Sequence, residues 1–140
     1  MLVVDASVIV KIFVDEPDSH LAEKLYGAET RLAVPAHAFA EAAEVVSRKM
    51  RAGYVDDSQM IKIVGAFEQD FEVIPLEGHL PDAIRLSNES GASVYDCLYV
   101  VLAATLQCAF VTADRKLIAK MTTTRYAPLM RGLDSFTGSP

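Results

Sequence analysis

The chain has 140 residues, 51 % of them apolar and 23 % charged, a size and balance that suit one folded domain with its own core. No apolar run approaches the ~20 residues that cross a bilayer, and the first residues (MLVVD) carry no basic segment ahead of an apolar one, so neither a membrane span nor a signal peptide is expected and the location reads as cytoplasmic. The formal charge of −6, from 13 basic and 19 acidic residues, does not advertise a nucleic-acid binder. Cys97 and Cys108 have no second pair, which argues against a disulfide framework or a zinc cluster, and they read as reduced core thiols. His20, His37 and His79 fall in separate segments, which weakens any hydrolase reading that needs a histidine base.

Residues 2–5 (LVVD) form a short apolar strand ending on an aspartate. Ser7 and the nearly all-apolar Val8 to Val14 follow as a mostly buried helix. Pro17 disfavours helical geometry at Glu16, and Ser19 is placed to cap a surface helix carrying Leu21, Ala22, Leu25 and Tyr26 up to Gly27. Arg31 to Pro35 is the second strand, with Pro35 as the first residue of the helix that follows. That helix, residues 36–51, puts Phe39, Ala43, Val46 and Met50 on one stripe, and Glu41 and Glu44 on a shared face. Asp56, Asp57 and Ser58 start a helix with Ile61, Val64, Ala66 and Phe67 that closes near Asp70, and residues 71–75 are the third strand.

Residues 79–90 are helical (Leu80, Ala83, Ile84, Leu86), and Gly91 stops them. Ser93 followed three residues later by Asp96 marks the next helix start, and Leu98, Val101, Leu102, Thr105 and Leu106 keep helical spacing. Residues 108–112 (CAFVT) are an uninterrupted apolar run, as in a strand buried on both faces, and Asp114 stands where that strand meets a short helix, 115–121. Thr122 to Arg125 reads as a loop, 126–130 as a weak edge strand, and the tail to Pro140 has no readable order. Strands alternating with helices predict a three-layer α/β/α domain over residues 1–140, with a central, mostly parallel sheet of four to five strands and helices on both faces. Ligands bind such sheets beyond the carboxyl ends of the strands, where strand order reverses. Asp5 and Asp114 both end a strand.

Taken singly, Asp5 and Asp114 read as helix caps, Asp96 as the partner of Ser93 in a capping box, and Glu41 and Glu44 as a solvated pair. Taken together, Asp5, Asp96 and Asp114 at one rim, with Glu41 from a neighbouring helix, would repel: carboxylates ~5 Å apart do so by about 3 kcal/mol at an effective dielectric of about 20. Such a cluster needs a cation. Oxygen donors without histidine or thiolate select a hard ion, magnesium or manganese. Phosphodiester hydrolysis suits that set, because metal ions activate a water and stabilise the leaving oxygen without a protein nucleophile.

VVDAS at Asp5, FAEAAEVV around Glu41, VYDCLYVVLA at Asp96 and VTADRKL at Asp114 resemble, in order and spacing, the acidic motifs of PIN-domain ribonucleases, in particular the VapC-type toxins of prokaryotic toxin-antitoxin pairs. The resemblance implies a PIN-like fold and an endoribonuclease whose catalytic, metal-binding carboxylates are Asp5, Glu41, Asp96 and Asp114. It further implies Thr112 and Ser7 as supporting polar groups and Mg2+ or Mn2+ as the cofactor. Glu44 offers a second glutamate on the same helix, and the apolar pattern after Glu41 favours Glu41. Arg115 and Lys116 follow Asp114 where some relatives have a further aspartate, so a second metal is expected to bind weakly or only with RNA. The resemblance also implies a homodimer and a cognate antitoxin that blocks the site; an acidic toxin suits a basic antitoxin tail.

Phosphate contacts have to come from local basic residues, with Arg115, Lys116 and Lys120 beside Asp114, or Lys11, Arg48 and Arg51, as candidates against the competing reading of a solvated helix face. Two other functions stay open. One is a non-catalytic binding module of the same fold, against which four retained carboxylates weigh. The other is an aspartate-based phosphotransfer domain, which the lack of a second carboxylate two residues after Asp5, and of an acidic pair before it, disfavours.

Overall fold

Apolar runs far apart in the chain lie side by side at the centre of the molecule. The computed structural model describes residues 1–136. Strands β1 (Leu2–Val4), β2 (Leu32–Pro35), β3 (Glu72–Ile74), β4 (Phe110–Thr112) and β5 (Met130–Gly132) form one sheet in the order β3-β2-β1-β4-β5, every pairing parallel. All residues of β1, β2 and β4 are buried, as strands covered on both faces must be. Helices α1 (Ala6–Phe13), α2 (Ser19–Gly27), α3 (Ala38–Arg51), α4 (Asp57–Asp70), α5 (Leu80–Ser90), α6 (Val94–Leu106) and α7 (Arg115–Met121) complete the three α/β/α layers. None of the described helices is long and apolar enough to cross a membrane.

The chain runs outward from β1 through β2 to β3 and returns on the other side of β1 for β4 and β5. Strand order therefore reverses between β1 and β4, where a parallel sheet opens a crevice at its carboxyl end. Helix α6 holds that centre together. Every residue from Cys97 to Ala103 is buried, so this helix is apolar all round, as an internal helix is. It packs on β1, β2 and β4 and against α5, and the Tyr99 ring stacks on Phe110 of β4 at 5.5 Å, 7° from parallel.

Several local readings shift. Pro35 closes β2 instead of opening α3: it pairs with Ile74 beyond the last β1 pairing at Ala33, so its missing N–H removes no bond to β1. Ser19 is the first residue of α2, not its cap; the capping position is Asp18 at φ 69°, while the Ser19 hydroxyl donates to the Val14 carbonyl at 3.0 Å and accepts the Glu16 amide at 2.9 Å. The buried face of α3 runs through Ala38, Ala42 and Val46, and Ala43 is exposed. Ile61 and Val64 of α4 point to solvent while Ile63 and Phe67 face the core. Thr105, expected on the apolar stripe of α6, is exposed and returns its hydroxyl to the Val101 carbonyl at 3.1 Å.

The last strand comes later than expected. Residues Ala127–Leu129 form a 3-10 turn around Pro128, and the edge strand is Met130–Gly132. A further 3-10 turn, Leu133–Ser135, follows where no order was expected; the rest of that tail, residues 137–140, lies outside the described residues. Cys97 and Cys108 are free thiols, the first buried and the second half-buried.

Candidate functional site

At the end of β1 the backbone of Asp5 stays extended (φ −101°, ψ 177°) and its carboxylate caps α1. Oδ1 accepts the Ser7 hydroxyl at 2.5 Å and the Val8 amide at 3.2 Å, and Oδ2 accepts the Thr112 hydroxyl at 2.5 Å. Thr112, fully buried at the end of β4, also accepts the Asp114 amide at 3.0 Å, and Ser7 accepts the Ala113 amide at 3.3 Å. Two hydroxyls thus lace the two strand ends together. Asp5 itself is only 8 % exposed. Burial pushes its pKa from 3.8 up to about 6, against the hydrogen bonds from Ser7, Thr112 and Val8, with a small further push from the Asp96 charge.

Asp96 lies in the first turn of α6, whose start Ser93 caps by accepting the Asp96 amide at 3.1 Å. Its carboxyl is held above the ordinary range first by burial and then by the charges of Glu41 and Asp114, while Ser93 and Lys120 act the other way. Asp114 is exposed and caps α7, its Oδ1 accepting the amides of Lys116 at 3.0 Å and Leu117 at 3.1 Å. The capping readings of Asp5 and Asp114 are therefore correct, and the same carboxylates turn towards one space. Glu41, half-buried on α3, accepts the Tyr99 hydroxyl on Oε1 at 2.6 Å, with His37 Nε2 at 3.4 Å from the same oxygen. Burial, and after it the Glu41 bond, drives the Tyr99 phenol far above its usual range, so it stays a donor.

These groups surround a cavity of about 550 Å³ at the reversal point. Asp5, Ser7, Glu41, Asp96 and Asp114 line it, Glu44 and Arg48 reach its wall from α3, and Thr112 sits behind Asp5. Of the basic candidates, Arg115 is bonded to Asp134 and Lys116 is exposed with its amide on Asp114; neither lines the cavity. Lys11 is engaged by Glu16 at 3.3 Å and the Pro17 carbonyl at 2.9 Å, and Arg51 by Ser47 at 3.1 Å. Tyr99, His37 and Tyr95 join the site without having been singled out in the sequence. Two of them stood at readable offsets: Tyr99 is three residues beyond Asp96, and His37 four before Glu41.

The donors around the cavity are carboxylate and hydroxyl oxygens, the chemistry of a hard cation. As the side chains lie, no three His, Cys, Asp or Glu groups among the described residues form a ready-made metal-holding set. Both oxygens of Asp5 accept hydroxyls, while Glu41 and Asp114 each use one oxygen and keep Oε2 and Oδ2 unengaged among the described residues. The donor set thus fits a divalent ion in its chemistry, and Glu41 Oε2 and Asp114 Oδ2 would be available to it.

A protein-family model described as the PIN domain matches residues 2–122. The chain belongs to the PIN-domain family. Ribonuclease VapC3 of Pyrobaculum aerophilum is 30 % identical to this PIN domain over 122 residues, 85 % of this chain and 93 % of that one. The crystal structure of PAE2754 from Pyrobaculum aerophilum superposes with a TM-score of 0.69 at 25 % identity, covering 95 % of this chain and 83 % of that one. A toxin-antitoxin complex from Klebsiella pneumoniae shares the fold, with a TM-score of 0.68 at 12 % identity and coverage of 95 % and 98 %. The three-layer fold expected of a PIN domain is the one observed, and all four motif carboxylates fall inside the matched residues.

Proposed function

We propose that this PIN domain is a Mg2+- or Mn2+-dependent endoribonuclease, the toxin of a VapBC-type toxin-antitoxin pair, acting in the cytoplasm as a homodimer. The observation that carries this reading is the meeting of Asp5, Glu41, Asp96 and Asp114 around one cavity at the sheet's reversal point, in a chain related to a ribonuclease. When bound, the divalent ion supplies water activation and neutralises charge on the phosphodiester. Asp5, Asp96, Asp114 and Glu41 would hold it, Asp5 from the floor of the cavity, where Ser7 and Thr112 orient its carboxylate. Tyr99 fixes Glu41 Oε1 so that the second oxygen is available. Arg48, the sole cation among the residues lining the cavity, offers a contact for a substrate phosphate.

A basic segment of a protein antitoxin suits the same acidic cavity, and a relative of this fold occurs in a toxin-antitoxin complex. Free, buried-to-half-buried cysteines accord with a reducing compartment.

The test is cleavage of total RNA by purified protein with Mg2+ or Mn2+, with EDTA, and with folded Asp96→Asn and Asp5→Asn variants. Cuts that need metal and vanish in both variants support the reading. Cleavage that persists in the variants places the activity elsewhere, and no cleavage together with no divalent-ion binding turns the domain into a binding module.

A further inference from the structure

Tyr95 is 63 % exposed, yet it lines the acidic cavity beside Asp96. The other large exposed apolar side chains, Tyr54, Ile61, Val64, Val73, Leu80 and Ile84, take no part in that wall. Its position is set from behind. His37 Nε2 lies 2.9 Å from the Tyr95 carbonyl oxygen, and the imidazole stands 5.9 Å from the Tyr95 ring centroid and 4.9 Å from that of Tyr99. The first turn of α6 and the His37 bond to its carbonyl therefore fix the Tyr95 backbone at the cavity, and the imidazole flanks one side of a ring that is otherwise open. Across the wall, Arg48 of α3 makes no ion pair among the described residues although Glu44 stands one helical turn away.

An open aromatic face and a free guanidinium on one cavity match the two ends of a nucleotide, a π-faced base and a phosphate. The volume of about 550 Å³ falls in the range of small-ligand sites. We infer that Tyr95 is a base-stacking platform of this cavity, receiving an unpaired nucleobase of a strand whose phosphate meets Arg48; the inference rests on the RNA hydrolysis proposed above. Stacking of this kind takes any base but needs it unpaired, since a paired base keeps both faces covered by its neighbours. Purines, with the larger face, gain more than pyrimidines.

The experiment is binding of a fluorescently labelled octaadenylate RNA, with Ca2+ replacing Mg2+ to keep the strand intact, to wild type, Tyr95→Ala, Tyr95→Phe and Tyr95→Trp. A second readout is Mn2+ affinity by electron paramagnetic resonance. Tyr95→Ala is expected to weaken octamer binding by about ten-fold or more, within the range for losing one stacked base, while Phe and Trp retain it and Mn2+ affinity is the same in all four. A 2-aminopurine placed in the octamer is quenched by wild type and not by Tyr95→Ala. Equal octamer binding by wild type and Tyr95→Ala overturns the platform, as does a Phe variant as weak as Ala. A Tyr95→Ala variant that keeps RNA binding but loses self-association overturns it in favour of a protein-contact role. Wild type that binds neither Mn2+ nor the octamer ends the hydrolysis reading, and the platform with it; wild type that binds both while Tyr95→Ala matches it ends the platform alone.

Discussion

The β1–α1 corner and the β4–α7 corner follow one local plan: a three-residue buried strand, then an aspartate whose carboxylate caps the next helix. What covers them differs. Asp5 ends the central strand, is 8 % exposed, and accepts two hydroxyls and an amide. Asp114, one strand further out, is exposed and accepts two amides of α7. Local sequence thus sets where each carboxylate points, and tertiary cover sets how rigid it is and what its charge costs. The covered side forms the floor of the cavity, and the open side keeps a carboxylate oxygen without a partner among the described residues.

Removing a carboxylate that the others face breaks the site outright. Asp96→Asn is expected to lower the initial rate of RNA cleavage by more than about 100-fold, since loss of even an outer partner of a metal ligand costs 10–100-fold. Thr112→Val attacks the covered side without touching a carboxylate. It removes a donor to Asp5 and the acceptor of the Asp114 amide, so urea unfolding should show a loss of about 1–3 kcal/mol. Mn2+ affinity of the same variant falls by about 10–100-fold.

Tyr99→Phe keeps the stack on Phe110 and removes the hydroxyl that Glu41 accepts and that the Ala6 amide meets. Its Mn2+ dissociation constant rises by about ten-fold while stability changes by no more than about 1.5 kcal/mol. Glu44→Gln, on the exposed face of α3, shifts both activity and Mn2+ affinity by less than about two-fold, as an ordinary surface change does. A larger effect from Glu44→Gln than from Tyr99→Phe would reverse the assignment between the two glutamates.

The strand ends were readable because short apolar runs of β1 and β4 stop on aspartates, and the helices because Ser93, Asp56 and Gly91 punctuate them. The rotation of α3 was not. In an alanine-rich helix Ala42 and Ala43 offer no contrast, and only packing decides which is buried. Pro35 suits either the end of a strand or the start of a helix, and the β3 pairing at Ile74 settles it. The Tyr99–Glu41 bond joins residues 58 apart, and the pairing that occupies Arg115 joins it to Asp134, 19 residues on. No local spacing encodes either contact. A search for acidic residues alone also passes over Tyr99 and His37, which meet Glu41.

Thermal unfolding of metal-free and Mn2+-loaded protein tests most directly whether the cluster is built for a cation. Folding raises the Asp5 pKa from 3.8 to about 6, so its contribution is intact below pH 3.8 and is lost as pH rises through about 6. By about pH 7.5 the ionised carboxylate costs on the order of 3 kcal/mol. In EDTA near that pH, Asp5→Asn should therefore melt above wild type, with the gap closing towards pH 4, while Mn2+ raises the Tm of wild type far more than that of the variant. Wild type with the same Tm in EDTA and Mn2+, together with an Asp5→Asn variant that melts below it, would contradict the account.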